Sequence, residues 1–203
     1  METNTGSVLD DPRWHTFNSQ GFDCSCGERH VGLFAIHLHH PLGWQGGDDY
    51  AADTDLALDG NFLSSNYCVL DGKFFALRAR LPIQLRGAAP KSFMFTVWAS
   101  LDRMDFEAFT RDYRERTLNR NNKVRARLVN RVGGFPDSFN LMGTAFQDLD
   151  GGPPLLLVHG VQAGMNNEHP MITEQRNGIG VDRMLELFAA YGHEMRVPVA
   201  NSN

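Results

Sequence analysis

The chain has 203 residues, 42% hydrophobic and 21% charged, with a net charge of −5. These are ordinary globular values, with enough chain for one buried core. No apolar stretch approaches the roughly 18 residues that a membrane span requires. The opening segment METNTGSVLDDPRWHTFNS has no basic region followed by an apolar one, so a secretory signal is excluded and a cytoplasmic protein is expected.

There are three cysteines, and Cys24 and Cys26 are separated by one residue. An odd number at such close spacing excludes a disulfide framework and points to a reducing compartment. Charge is unevenly spread. Arg111, Arg114, Arg116, Arg120, Lys123, Arg125, Arg127 and Arg131 face only Asp112 and Glu115 in that stretch, a local excess of six. With the total at −5, the remainder stands at −11. An acidic body with one basic strip does not suit nucleic-acid binding. It suits a protein partner of opposite sign, such as a basic toxin.

In chain order, residues 1–20 read as a polar tail anchored by Trp14 and Phe17, followed by a single domain over 21–195 and a C-terminal tail over 196–203. The domain opens with FDCSCGERH and a strand from His30 to His37. A Gly/Asp-rich connection from Pro41 to Gly60 comes next. Tyr67 to Leu70 and Lys73 to Leu81 read as strands about an Asp71-Gly72 turn, a dipeptide that accepts positive φ. The aromatic and β-branched run Ser92 to Ala99 is a central strand. A helix capped by Asp102 follows, with Phe106, Phe109 and Tyr113 on one face.

Lys123, Arg125 and Arg127 alternate with Val124, Ala126 and Leu128 as in a half-exposed strand. Phe139 to Asp148 and Pro154 to His159 are two more strands. Pro170 to Asn177 is a short helix stopped at Gly178. Val181 to Tyr191 is an amphipathic helix that Gly192 ends. Clustered strands with short turns and few helices predict an α+β fold: an antiparallel β-sheet with helices packed on one face.

The sharpest chemical feature is Cys24-Ser25-Cys26-Gly27-Glu28-Arg29-His30, two thiols and an imidazole within seven residues. Soft sulfur and imidazole in a tetrahedral set suit structural zinc, which needs a fourth ligand. Cys68 is the first candidate, and His37, His39 and His40 are alternatives. The metal set is therefore read as Cys24, Cys26, His30 and Cys68, with zinc as the cofactor. A second cluster lies in Asn166 to Gly180, where Glu168, His169, Glu174, Gln175 and Arg176 can converge. If the protein is an enzyme, His169, Glu174 and Gln175 are the acid–base candidates. The bland reading of the same residues is structural, with His169 capping the helix at Pro170. Nucleophile-elbow, P-loop and dinucleotide motifs are absent.

Four segments in order, FDCSCGERH (22–30), NYCVLDGKFFALRARLPIQL (66–85), FMFTVWASLDRMDFEAF (93–109) and EHPMITEQRNGIGVDRMLEL (168–187), resemble the bacterial family DUF2199. The resemblance rests on Cys26, Gly27, His30, Cys68, Phe75, Arg78, Trp98, Ser100, Leu101, His169, Pro170, Glu174, Gln175, Gly178 and Ile179. The C-x-C spacing departs from the family's C-x-x-C, and 42–61 has no counterpart. The resemblance implies pairing of Cys68 with the N-terminal knuckle and no assigned activity. The reading that follows is a non-enzymatic protein-binding domain with a structural zinc, of the kind that serves as an immunity protein against a toxin. A metal-dependent or acid–base enzyme around His169 and Glu174 is the alternative.

Overall fold

The computed structural model describes residues 6–47, 49–117, 119, 122–160 and 169–196. Glu168 and Arg120, singled out above, lie outside the described residues, as does most of the C-terminal tail. The elements are α1 (Pro12–Ser19), β1 (Phe22–Cys24), β2 (Arg29–His30), β3 (Ile36–His37), β4 (Phe62–Leu63), β5 (Tyr67–Leu70), β6 (Phe74–Gln84), β7 (Ser92–Leu101), α2 (Arg103–Glu115), β8 (Lys123–Leu128), β9 (Met142–Phe146), β10 (Leu155–Gly160), α3 (Pro170–Asn177), α4 (Val181–Ala189) and β11 (Met195–Arg196).

The expected antiparallel sheet with helices on one face is not what forms. Strands β6, β7, β8, β9 and β10 pair in that order, and β10 returns to pair with β6, closing a five-stranded barrel. The closing contact is parallel, at Leu155 and Arg80. Closure is possible because β6 and β7 are long enough to change neighbours along one edge. Strand β6 pairs with β5 up to Leu77 and with β10 at Arg80. Strand β7 pairs with β3 at Phe95 and Thr96 and with β8 at Ala99 and Ser100. Among the described residues, four short α-helices pack around a mostly β molecule.

Alternation sets what faces inward. Phe75, Leu77, Ala79, Leu81 and Ile83 of β6 are buried, as are Phe93, Phe95, Val97 and Ala99 of β7. Ala126, Leu128, Ala145, Leu156 and Val158 complete the same core. The exposed Lys123 and Arg125 of β8 alternate with inward Ala126 and Leu128. The Asp71-Gly72 hairpin forms as expected, with φ of 52° and 62° and a bond from Lys73 N–H to Leu70 O at 3.0 Å. The predicted strand His30 to His37 is instead two short strands, β2 and β3, in different sheets.

The helices lie toward opposite ends of the β6–β7 ladder. At the end where Phe75 pairs with Leu101, Phe106 of α2 packs on Phe75 and Tyr67, with ring centroids 5.5 and 6.0 Å apart. Asp102 takes the N-cap position of α2, but its side chain makes no capping bond. At the other end, where Phe93 pairs with Ile83, Phe188 of α4 meets Phe93 at 4.7 Å and Phe17 of α1 at 5.9 Å. Residues 12–19, inside the stretch read as a tail, are thus a helix that buries Trp14 and Phe17 in the core. Among the described residues, no helix is long and apolar enough to cross a membrane.

Candidate metal centre

Strands β1 and β2 form a hairpin whose turn carries the two thiols. Gly21 turns the chain from α1 into β1 at φ 75°, and a Cβ there would sit 2.3 Å from His30 O, so no other residue fits. Gly27, at φ 93°, closes the turn with its N–H on Cys24 O at 3.1 Å. Cys26 N–H points at Cys24 Sγ at 3.4 Å, and His30 Nε2 lies 3.2 Å from Cys26 Sγ.

The fourth donor comes from the other end of the chain. Gly192, at φ 76°, ends α4, and the chain turns back to add β11 to β1, with Cys24 opposite Met195. Ser25 fastens this return. Its N–H bonds to Glu194 O at 3.0 Å, and its hydroxyl donates to Gly192 O at 2.8 Å and accepts from Glu194 N–H at 2.9 Å. His193 is held between these bonds, with Nδ1 3.5 Å from Cys24 Sγ. The ring of Phe34 packs against both imidazoles, 4.5 Å from His30 and 5.0 Å from His193.

One ligand atom from each of Cys24, Cys26, His30 and His193 lies within 4.8 Å of the others. In a tetrahedral zinc site with bonds of about 2.3 Å to sulfur and 2.0–2.1 Å to nitrogen, adjacent S and N atoms stand about 3.6 Å apart. The S···N separations of 3.2 and 3.5 Å fit that frame within a few tenths of an ångström. Without a cation between them the sulfurs oppose each other. The Glu28 backbone amide favours the Cys26 thiolate, yet the Cys24 side chain, desolvation and the Glu28 charge together outweigh it and hold the Cys26 thiol above its ordinary value. A bound cation reverses that relation.

Cys68 is not part of this group. It lies on β5 opposite Ala76, fully buried in a second apolar cluster with Leu63, Trp98 and Val129. Burial pushes its thiol up to about 12, so it behaves as an inert core residue. His37, His39 and His40 do not join the cluster either. His37 sits on β3, and the carbonyls of His39 and His40 accept from Trp98 Nε1 at 3.1 Å and Asn130 Nδ2 at 2.9 Å. The member of this group that sequence reading did not name is His193. The available signal was Gly192, which marks the helix end that returns the next residue to the knuckle.

The acid–base candidates are engaged in the scaffold. His169 caps α3, its Nδ1 accepting from Met171 N–H at 3.1 Å, and its Nε2 lies 2.7 Å from Pro136 O. Glu174 takes Arg183 Nε at 2.9 and 3.1 Å. Burial pushes its carboxyl up despite that cation. Gln175 spans the barrel closure: its Nε2 donates to Pro82 O at 3.0 Å and Leu156 O at 3.2 Å, and its Oε1 accepts from Val158 N–H at 2.8 Å.

Compared with known families, residues 23–179 match the model described as "Uncharacterized protein conserved in bacteria (DUF2199)". The chain belongs to the DUF2199 family. The match begins at the knuckle and takes in the whole barrel and α3, but stops before α4 and His193. No curated protein and no solved structure matches the chain.

Proposed function

We propose that this DUF2199 chain is a non-enzymatic binding domain stapled by one zinc ion held by Cys24, Cys26, His30 and His193. The observation that carries the reading is the convergence of four soft donors from the two ends of the chain. Four protein ligands complete a tetrahedral shell, as in structural zinc sites, whereas catalytic zinc keeps a position for water. The polar atoms of His169 and Gln175 are taken up by backbone groups, and Glu174 by Arg183. These engagements weigh against an acid–base site there.

The acidic body, net −5 despite the basic strip, favours a basic protein partner. Within this reading the domain acts as an immunity protein, covering a toxin by charge complementarity. Two measurements test it. The purified chain should carry one zinc per molecule, lost in Cys24→Ser and His193→Ala and kept in Cys68→Ser. Full metal in the first two variants overturns the staple. Tagged protein should retain a basic partner from a bacterial host, and co-expression should relieve that partner's toxicity. No stable partner, or a partner whose toxicity is unchanged, overturns the immunity role.

A further inference from the structure

Helices α1 and α4 meet through their buried faces, at Phe17 and Phe188, 5.9 Å apart. Toward solvent they leave a groove of about 850 Å³. At one end of it, Arg13 Nη1 of α1 meets Asp182 Oδ1 of α4 at 2.7 Å. At the other end the helices run into β1 and β11, which pair with Asp23 opposite Arg196 and Cys24 opposite Met195. The groove therefore borders the metal cluster. The turn that delivers His193 also places Glu194 and Met195 on the groove wall.

On α4 the groove takes Asp182, Leu185, Glu186 and Ala189, spaced at i, i+3, i+4 and i+7. The core takes the neighbouring stripe of Val181, Met184, Leu187 and Phe188. Leu185, Ala189 and Met195 are only partly buried, and with Pro12 they give the groove an apolar surface. Its rim carries the carboxylates of Asp23, Asp182, Glu186 and Glu194 against the guanidinium groups of Arg13 and Arg29. Both cations are already engaged, Arg13 by Asp11 and Asp182, and Arg29 by Asp23 and the Gln20 carbonyl. Glu194 bonds Ser25 through its backbone, and its carboxylate forms no ion pair among the described residues. The side chains of Asp23, Asp182 and Glu186 are 71, 64 and 65% exposed, so their charge is open to a docked partner.

We propose that this groove docks a basic amphipathic helix of a partner protein. The helix sets its apolar stripe on Leu185, Ala189 and Met195 and its cations on the rim carboxylates. The inference rests on the basic partner of the reading above and names where that partner binds. A helix fits because the groove lies between two helices, where a third can interleave its side chains with theirs. α1 has eight residues and α4 nine, so each is about 12–14 Å long at about 1.5 Å per residue. About two turns of a partner helix, with anchors at i, i+3, i+4 and i+7, span that length. Charge decides the sign of the partner. Four carboxylates against two engaged arginines repel an acidic helix of the same shape. α4 also ends at the groove with no basic residue in its last turn, so its negative end adds to the field.

The test uses a synthetic peptide of leucine and lysine only, with leucine at i, i+3, i+4 and i+7 over about three turns. Its control carries glutamate at every lysine position. Binding of each labelled peptide to the full chain is followed by fluorescence anisotropy and by amide shifts in NMR. The expected result is saturable binding of the lysine peptide with a Kd below about 100 μM, and binding of the glutamate control at least about tenfold weaker. Shifts should centre on Thr16, Leu185, Ala189 and Met195. Ala189→Lys, at a partly exposed position, fills the groove and adds a cation, and should weaken binding at least about tenfold. Glu186→Gln combined with Glu194→Gln, two surface changes, should weaken it at least about threefold. No saturation up to about 1 mM, equal binding of the glutamate control, shifts elsewhere, or unchanged affinity in both variants overturns the proposal. So does displacement of the peptide by a free peptide of residues 197–203, or self-association of the chain that Ala189→Lys abolishes. The peptide assay needs no toxin, which separates the two readings. A toxin neutralised equally by the wild type and by Ala189→Lys overturns the groove alone. Groove-centred peptide binding, in a chain whose host supplies no basic partner, supports the groove and overturns the immunity role.

Discussion

Cys24 Sγ and His193 Nδ1 stand 3.5 Å apart across 169 residues of sequence. The contact is assembled by secondary structure on both sides. The β1–β2 turn presents the sulfur, and α4 with β11 returns the imidazole. Ser25 ties the two segments through three hydrogen bonds, so the donors are placed by the fold before any ion arrives.

Zinc bound to such a preformed site stabilises the native state by mass action. When free zinc exceeds the Kd about a thousandfold, the contribution is about 4 kcal/mol. Stripping the purified protein with a chelator should therefore lower its Tm, and adding zinc should restore it. His193→Ala should lose that response and Cys68→Ser should keep it, as read by differential scanning calorimetry. An unchanged Tm on chelation of the wild-type chain would show that no ion contributes to the fold.

Gln175 joins three backbone groups of β6 and β10 where the barrel closes on a single registered residue pair. Gln175→Leu keeps the volume but leaves those groups without partners. Buried unpaired groups cost about 1–3 kcal/mol each, and with partial relaxation the expected loss is about 3 kcal/mol in urea denaturation. A loss under about 1 kcal/mol would mean that solvent satisfies these groups.

Asn130 is 4% exposed and bridges two elements. Its Oδ1 accepts from Trp98 N–H at 2.6 Å, and its Nδ2 donates to His40 O at 2.9 Å. Asn130→Ala leaves a buried amide of β7 unpaired, with an expected loss of about 2–3 kcal/mol. Amide exchange at Trp98 should accelerate in the same variant. Unchanged protection there would contradict the assignment.

Glu174 supplies a pH dependence of unusual sign. Burial raises its carboxyl above the ordinary value in spite of Arg183. A group whose pKa is higher in the folded state binds its proton more tightly when folded, so stability falls as pH rises through that window. Relative to Glu174→Gln, the wild-type chain should gain stability as pH drops below the folded-state pKa toward the ordinary carboxyl value. Denaturant midpoints of both proteins across that range measure the difference. A wild-type chain that loses ground to the variant on acidification would show that the Arg183 pair outweighs burial.

Local features were legible. The Asp71-Gly72 hairpin, the His169 cap, the stop at Gly178 and the alternation of β8 each depend on a few neighbouring residues and can be read from the chain. The break between β2 and β3 was not read, because the apolar run Leu33 to Ile36 masks the interruption at Gly32, where φ is 71°, and pairing partners decide where a strand exists. Cys68 illustrates the same limit. As the remaining cysteine it was the natural fourth ligand, but β5 turns its side chain into an apolar cluster with Trp98.

By itself, then, the sequence determined the family, the strand-rich character, the helix ends at Gly178 and Gly192, and three of the four clustered donors. Tertiary structure alone decided that the sheet closes into a barrel, because closure depends on where β6 and β7 exchange neighbours and not on any local propensity. It also decided that His193 completes the cluster while Cys68 is buried elsewhere. Both are long-range pairings, and a pairing across 169 residues leaves no periodicity in the chain from which it can be read.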